Sequence, residues 1–271
     1  MTDKRMTAAE VAAEIQSGMT VGIGGWAARR KPMALVREIL RSDVDDLTIV
    51  SYGGPDVGML CRAGKVRKVV YAFVSLDDIP LEPHFRAARQ SGAIEVLELD
   101  EGMFLLGLQA AAWRVPFLPT RVGLGTDVLA DQAAIKTIGS PYDDAEPLVA
   151  VPAVPLDVAL LHLNLADAAG NAAFTGPDLY FDDLMAQAAD RTFVSCERIV
   201  ATEELAAEAG CVHALRVSRL WTDGVVEAPG GAAPTSCDPD YEVDAEVLGT
   251  YAASAKSDAA WDEFLASWVA S

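Results

Sequence analysis

LDVALLHLNLADAAGNAAF, residues Leu156–Phe174, is the stretch that decides the fold of this chain. Its leucines alternate with His162 and Asn164, which is the period of two expected of a strand with one covered face. The strand then enters the turn Asp167–Asn171, whose Asp, Gly and Asn tolerate the backbone angles of a sharp reversal. A strand that ends in such a turn usually serves a site, although for this stretch taken alone an ordinary β-turn is the better explanation.

Further strands are predicted on the amino-terminal side of this stretch. The β-rich runs are LTIVSYGG (Leu47–Gly54), KVRKVVYAFVS (Lys65–Ser75) and AIEVLELD (Ala93–Asp100). Helical or turn segments separate them, and this alternation predicts an α/β fold with an open, mostly parallel sheet and helices on both faces. Ligands gather at the carboxyl ends of strands in such sheets, so four loops are expected to converge. These loops follow Ile23, Tyr52, Ser75 and Leu99.

A cluster of cations follows the first predicted strand, Thr20–Ile23, and its glycine turn at Gly24 and Gly25. The cluster is Arg29, Arg30 and Lys31. Pro32 comes next and suits the first turn of a helix. Cations at a helix N-terminus oppose the helix dipole unless an anion binds there, so the cluster predicts a phosphate site. The alternative is that each cation pairs with an acidic neighbour of the same chain.

Composition and charge exclude several classes of protein. The chain has 271 residues, is 51% hydrophobic and carries a formal net charge of -19, which argues against nucleic acid and anionic membranes as partners. No apolar run reaches the length of a membrane span and no signal-peptide core is present, so a cytoplasmic protein is expected. The four cysteines are scattered, and neither a metal site nor a disulfide framework is predicted. His84, His162 and His213 are weak catalytic candidates, and His162 is interpreted as a structural imidazole.

Several motifs resemble the α subunit of family I CoA-transferases. They include A-D-x-x-G-N at Ala166–Asn171, M-A-x-A-A at Met185–Ala189, and V-P-F-L-P-T-R-V-G-L-G-T at Val115–Thr126. The loop GIGGW also resembles the family's G-x-G-G-F loop, with Trp26 in place of Phe. The resemblance implies a NagB-RpiA-like fold, with residues 1–232 forming the CoA-transferase-like α/β domain. Residues 233–271 are expected to form a helical extension that packs on the domain or on a partner subunit.

One departure from the family concerns the reactive site. Ordinary members have P-Q-G-T where this chain has Asp100, Glu101, Gly102 and Met103. A carboxylate thus replaces an amide at a position that faces the substrate in the family, and Glu101 is the predicted catalytic base. The alternative is a helix N-terminus at which Asp100 is the cap and Glu101 is a favourable acid in the first turn. The family's nucleophilic glutamate lies in an S-E-N-G motif of the β subunit, and this chain has no such motif.

The stretches GGWAARRKP, YGGPDVG, LDEGM and GNAAFTG together resemble a narrower group within the family. This group is the α subunit of a heteromeric CoA-thioester hydrolase that opens the last steroid rings in bacterial cholesterol catabolism. The resemblance implies water addition to a ring ketone and retro-Claisen cleavage of a carbon–carbon bond, with a CoA-transferase-like β subunit in an α2β2 assembly. It implies no metal and no redox cofactor, because coenzyme A is part of the substrate. The candidate binding residues are Gly24, Gly25, Trp26, Arg29, Arg30, Lys31, Gly53, Gly54 and Ser75.

Two other functions stay open at this point. The chain could be the α subunit of a true CoA-transferase for a 3-oxo or dicarboxylic acid, or a non-catalytic partner or effector-binding domain. Related α/β domains serve as sugar-phosphate effector modules, but no basic helix-turn-helix segment precedes this one.

Overall fold

A nine-stranded sheet forms the centre of the molecule in the computed structural model, which describes residues 2–142 and 144–270. Its strands are β1 (Thr20–Ile23), β2 (Leu47–Ser51), β3 (Val66–Tyr71), β4 (Glu95–Glu98), β8 (Leu156–Asp167), β9 (Ala172–Ala173), β10 (Ala189–Val200), β11 (Leu215–Val217) and β12 (Thr222–Glu227). The order is β11-β9-β8-β1-β2-β3-β4, and β10 pairs with both β8 and β12. All pairs are parallel except β8 with β9 and β9 with β11. The predicted mostly parallel α/β fold is confirmed.

Helices cover both faces of this sheet. They are α1 (Ala8–Ala12), α2 (Met33–Arg41), α3 (Pro55–Arg62), α4 (Pro83–Ser91), α5 (Glu101–Ala112), α6 (Asp127–Asp131), α7 (Asp182–Ala188), α8 (Leu205–Glu208), α9 (Ala245–Ala253) and α10 (Asp258–Ala270). A small antiparallel sheet of β5 (Phe117–Thr120), β7 (Pro147–Pro152) and β6 (Lys136–Gly139) follows α5 in the chain. No helix among the described residues has both the length and the apolar character needed to cross a membrane.

The turn after β8 is held by the carboxylate of Asp167. Its Oδ1 accepts hydrogen bonds from the amides of Ala169 and Asn171 at 3.0 and 2.9 Å, and its Oδ2 accepts one from Asn171 Nδ2 at 2.7 Å. The chain then returns antiparallel as β9. Asp167 is fully buried and its side chain is used within the turn, so the ordinary β-turn interpretation accounts for it.

The first two helices begin differently. Thr7 and Glu10 form a reciprocal capping box at the start of α1. Pro32 precedes α2 at the N-cap position, not within the first turn as expected, and the helix begins at Met33. Two residues before Pro32, Arg30 has a φ of 50°, in the left-handed region, so the backbone there is not helical.

The carboxyl-terminal helices pack on one face of the domain. Tyr251 of α9 and Trp261, Phe264 and Trp268 of α10 are buried in the same apolar cluster as residues of α2 and α3. The guanidinium of Arg37 lies 4.5 Å from the centre of the Trp268 ring, which adds a cation–π contact. Residues 233–270 therefore share their apolar core with the α/β domain.

Glu82 links α9 to the start of α4. Its carboxylate accepts hydrogen bonds from the amides of His84 and Phe85, and the hydroxyl of Tyr251 donates to Oε1 at 2.6 Å. Burial raises the pKa of Glu82 to about 7, and Asp56 adds to the rise, while these hydrogen bonds oppose it. The folded protein therefore holds a proton on Glu82 more tightly than the unfolded chain does.

We expect Glu82→Gln to change how stability depends on pH. A carboxyl group with a raised folded-state pKa contributes most stability below its unfolded pKa, near 4.5, and this contribution is lost as pH rises through about 7. Glutamine does not titrate. The free energy of unfolding of the wild type relative to the variant should therefore fall by about 3 kcal/mol across this window. Urea unfolding of both proteins at several pH values measures it, and parallel pH curves would contradict it.

Candidate active site

Four loops meet at the carboxyl ends of β1 to β4. The amide of Ala27 donates to the carbonyl of Tyr52 at 3.1 Å, which joins the first loop to the second. The amide of Gly53 donates to the carbonyl of Phe73 at 3.1 Å, which joins the second loop to the third. The amide of Leu99 donates to the carbonyl of Tyr71 at 2.9 Å, which ties the fourth loop to the end of β3. The predicted convergence of the loops is confirmed.

Glu101 is the first residue of α5 and lies at this edge of the sheet. Asp100 is the N-cap, as expected, and its side chain accepts a hydrogen bond from the amide of Met103 at 2.7 Å. Met103 and Phe104 are fully buried, whereas Glu101 is exposed in the single subunit. The loop therefore presents one carboxylate outward and uses the other to begin the helix.

Tyr52 anchors the first turn of α5, and its role was not foreseen. Its hydroxyl donates to the main-chain carbonyl of Glu101 at 3.1 Å, and its ring lies edge-on to Phe104 with the centroids 4.5 Å apart. Burial raises the pKa of Tyr52, and the charge of Glu101 adds to the rise, so the phenol keeps the proton that it donates. The Y-G-G sequence directly after β2 is the sequence signal that could have identified it.

Trp26 forms an aromatic wall beside this loop. Its ring stacks on Tyr52 at 4.6 Å with an interplanar angle of 8°, and Phe73, Tyr180 and Phe181 lie within about 6 Å of it. Trp26 is half-buried, so part of its ring stays open at the surface. Flat aromatic surfaces of this kind suit an apolar or ring-shaped ligand.

Gly24 and Gly25 do not present free amide groups. The amide of Gly24 donates to the carbonyl of Leu160 and that of Gly25 donates to Oδ1 of Asp182, both at 2.9 Å. Both glycines are candidate binding residues, but their amides are not available to a substrate. Gly25 has a φ of 74°, and an added Cβ would lie 2.5 Å from the carbonyl oxygens of Arg29 and Arg30, so the turn itself requires a glycine.

The main-chain groups of Gly53, Gly54 and Ser75 also form hydrogen bonds within the chain. A Cβ on Gly54 would lie 1.9 Å from the carbonyl oxygen of Ala27, so the two loops approach each other too closely for any side chain. The amide of Gly54 donates to Oδ1 of Asp56 at 2.7 Å, and Gly53 accepts from the amide of Ser75 at 3.0 Å. These residues shape the floor of the site.

The predicted cluster of three cations is divided between surface and interior. Arg30 is buried, and its guanidinium donates to Oδ2 of Asp182 at 2.7 Å and to the carbonyl of His162 at 2.8 Å. Lys31 is fully buried, and its Nζ donates to Ser51 Oγ at 2.8 Å and lies 3.4 Å from Oδ2 of Asp56.

This placement corrects the expectation that Arg30 and Lys31 bind a phosphate. Each side chain is satisfied by a buried aspartate, so the alternative of pairing within the chain holds for both. Arg29 differs from them because its side chain is 51% exposed. Its 3.0 Å ion pair with Asp77 is a surface pair, which contributes little free energy, so Arg29 can leave Asp77 for another anion at little cost. Of the cluster, Arg29 alone lies where an external anion can reach it, and its role stays a prediction.

His162 is held in a closed network and is not a surface base. Its Nδ1 lies 2.8 Å from Ser195 Oγ and its Nε2 lies 2.8 Å from Glu197 Oε1, while Tyr241 donates to the same oxygen at 2.6 Å. Burial lowers the pKa of His162, and Glu197 opposes this. The interpretation as a structural imidazole is confirmed, because both His162 and Ser195 are fully buried. Cys237 lies near this pair, but His162 and Glu197 already use their ligand atoms on each other.

The fold and the loop geometry together define a class of protein. A Coenzyme A transferase family model matches residues 5–221, and the chain belongs to this family. Among its relatives are the cholesterol ring-cleaving hydrolase IpdA subunits of Mycobacterium tuberculosis and Rhodococcus jostii. Each is 54% identical; the first alignment covers 99% of this chain and 94% of the relative, and the second covers 98% and 92%. The crystal structure of glutaconate coenzyme A-transferase from Acidaminococcus fermentans superimposes with a TM-score of 0.92 at 29% identity, covering 98% of this chain and 88% of that one.

Proposed function

We propose that this chain is the α subunit of a heteromeric acyl-CoA hydrolase that opens a steroid-derived ring in cholesterol catabolism. The observation that most directly supports this proposal is the exposed carboxylate of Glu101 at the edge of the sheet where the four loops meet. The 54% identity to the ring-cleaving hydrolase subunits over nearly their full length supports the same activity here.

In the proposed reaction Glu101 acts as a general base. It takes a proton from water, and the water oxygen attacks the carbonyl carbon of the ring ketone. The bond between this carbon and the carbon next to the thioester then breaks, and its electron pair passes into the thioester as an enolate. The proton held by Glu101 returns to the enolate carbon. The products are a new carboxylic acid and an intact CoA thioester, so the chemistry needs no metal and no redox cofactor.

The developing oxyanion needs a hydrogen-bond donor that this chain's glycine turn does not supply. The amides of Gly24 and Gly25 donate within the chain, so we infer that the donor comes from the second subunit. We propose that this subunit is a CoA-transferase-like β chain in an α2β2 assembly. Exposure of Glu101 in the single subunit is consistent with a site that a partner closes.

The activity is tested by incubating the two-subunit complex with a ring-ketone acyl-CoA in heavy-oxygen water. Mass spectrometry should find one heavy oxygen in the new carboxylate, none in the carbonyl of the thioester, and CoA still attached to the product. No acceptor acid should be required. A CoA thioester trapped on the β subunit, together with dependence on an acceptor acid, would contradict hydrolysis and indicate a CoA-transferase.

A further inference from the structure

A cleft of about 550 Å³ lies beside the loop that carries Glu101, between α4 and the carboxyl ends of β3 and β4. Its walls include Tyr71, Phe73, Leu81, Phe85, Arg86 and Arg89. We propose that this cleft binds an anionic group of the acyl-CoA, a free carboxylate of the acyl part or the 3′-phosphate of CoA, together with the apolar part of the molecule next to it. The inference rests on the proposed function, because it assigns part of that substrate to the cleft.

The wall of the cleft is packed against the residues that hold the loop of Glu101. Phe73 lies in its wall and also packs on Tyr52, with the ring centroids 5.3 Å apart. Tyr52 in turn donates to the carbonyl of Glu101. Glu98, at the end of β4 and only three residues before Glu101, lines the cleft as well. The proposal places the reactive part of the acyl-CoA at Glu101 and its anionic group in this neighbouring cleft.

Arg86 supplies a cation without a counter-ion. It is exposed, and its guanidinium has no hydrogen bond or ion pair with any residue that the structure describes. The chain has 40 acidic residues against 21 lysines and arginines, so an arginine without an acidic partner is unexpected on its surface. Arginine binds carboxylates and phosphates through paired N–H donors, and this one is open to do so.

The acids near Arg86 are used elsewhere. The carboxylate of Glu98 accepts from Arg89 at 2.6 Å and from the hydroxyl of Tyr71 at 3.0 Å. The carboxylate of Glu82 is buried in hydrogen bonds with Tyr251 and with the first amides of α4. Arg86 is thus the uncompensated positive charge of the cleft. It attracts anions locally, whereas the negative net charge of the whole chain repels them.

The rest of the wall suits an apolar body. The rings of Tyr71 and Phe85 meet edge to face with centroids 5.0 Å apart, and Leu81 is 64% exposed. The volume is within the range of small-molecule sites, which combine apolar walls with a few polar groups. An anion held by Arg86 would place the adjoining carbon atoms against these rings.

The test uses Arg86→Gln in the assembled two-subunit enzyme with three thioesters. These are an acyl-CoA whose acyl group carries a free carboxylate, its methyl ester, and the corresponding 3′-dephospho-CoA thioester. KM for the first should rise by about tenfold or more with kcat little changed, because a charge-assisted hydrogen bond is lost. If the carboxylate is held, the effect disappears with the methyl ester; if the phosphate is held, it disappears with the dephospho compound. Arg86→Lys should recover part of the loss.

Arg5→Gln is the matched control, because it removes the same charge from an exposed arginine whose partner is the nearby Asp3. An effect of Arg86→Gln no larger than that of Arg5→Gln, or equal for all three thioesters, would overturn the inference. If the wild-type complex shows no turnover, the proposed function fails, and equilibrium binding of the same three thioesters to both complexes still tests the cleft. Equal affinity of the wild type and Arg86→Gln for all of them would then overturn it.

Discussion

Glu101→Gln is expected to lower kcat of the assembled enzyme by about a hundredfold to ten-thousandfold, the usual contribution of a general base. Glutamine keeps the size and polarity of the side chain but cannot accept the proton of the attacking water. Folding should be unaffected, because the side chain is exposed and the contact with Tyr52 uses the main-chain carbonyl. KM for the acyl-CoA should change little, since the remote binding contacts stay in place. Steady-state kinetics of the purified complex measure both constants.

Asp100→Asn is the control for this substitution. It makes the same carboxylate-to-amide change one residue earlier, where the side chain caps α5 through the amide of Met103. Asparagine caps helices about as well as aspartate, so most turnover should survive. Unchanged turnover in Glu101→Gln, or an equal loss in both variants, would reject Glu101 as the base.

Asp182→Asn is expected to destabilise the folded protein by about 3 to 5 kcal/mol, because it leaves a buried arginine without its counter-ion. The side chains of Arg30 and Asp182 are only 4% and 1% exposed, and their atoms lie 2.7 Å apart. Arg30→Met should lower the free energy of unfolding by a similar amount near neutral pH, because it leaves the buried carboxylate of Asp182 without a counter-ion. Its cost should shrink at low pH, because an aspartate can take up a proton whereas an arginine cannot lose one. Chemical unfolding at neutral and acidic pH measures both variants.

The neighbouring residue provides the control. Arg29→Met removes an adjacent positive charge whose partner, Asp77, is at the surface, and it should change stability by less than about 1 kcal/mol. The double variant Arg30→Met with Asp182→Leu should recover most of the loss, because an apolar pair replaces the buried ions. A cost for Arg30→Met no greater than that for Arg29→Met, or a double variant as unstable as the sum of the singles, would contradict a tightly coupled buried pair.

Local patterns determined the elements of this protein. The alternation within Leu156–Phe174 predicts the long strand β8, and Thr7 with Glu10 predicts the start of α1. Asp100 predicts the start of α5 and thereby places Glu101 in its first turn. Strand period, capping and turn chemistry all depend on residues a few positions apart, so the amino-acid sequence alone is sufficient to specify them. The family resemblance is likewise visible in short motifs.

Only the tertiary structure decided which of these residues face a ligand. Arg29, Arg30 and Lys31 are consecutive, yet Arg29 is exposed while the other two are buried. The partner that holds Arg30 lies 152 residues away, on α7, and the amides of Gly24 and Gly25 are used by distant residues too. Burial and ion pairing depend on contacts between segments far apart in the chain, which no local pattern encodes. The sequence therefore determined where the loops begin, and the packing of the sheet and helices determined which of their groups stay free.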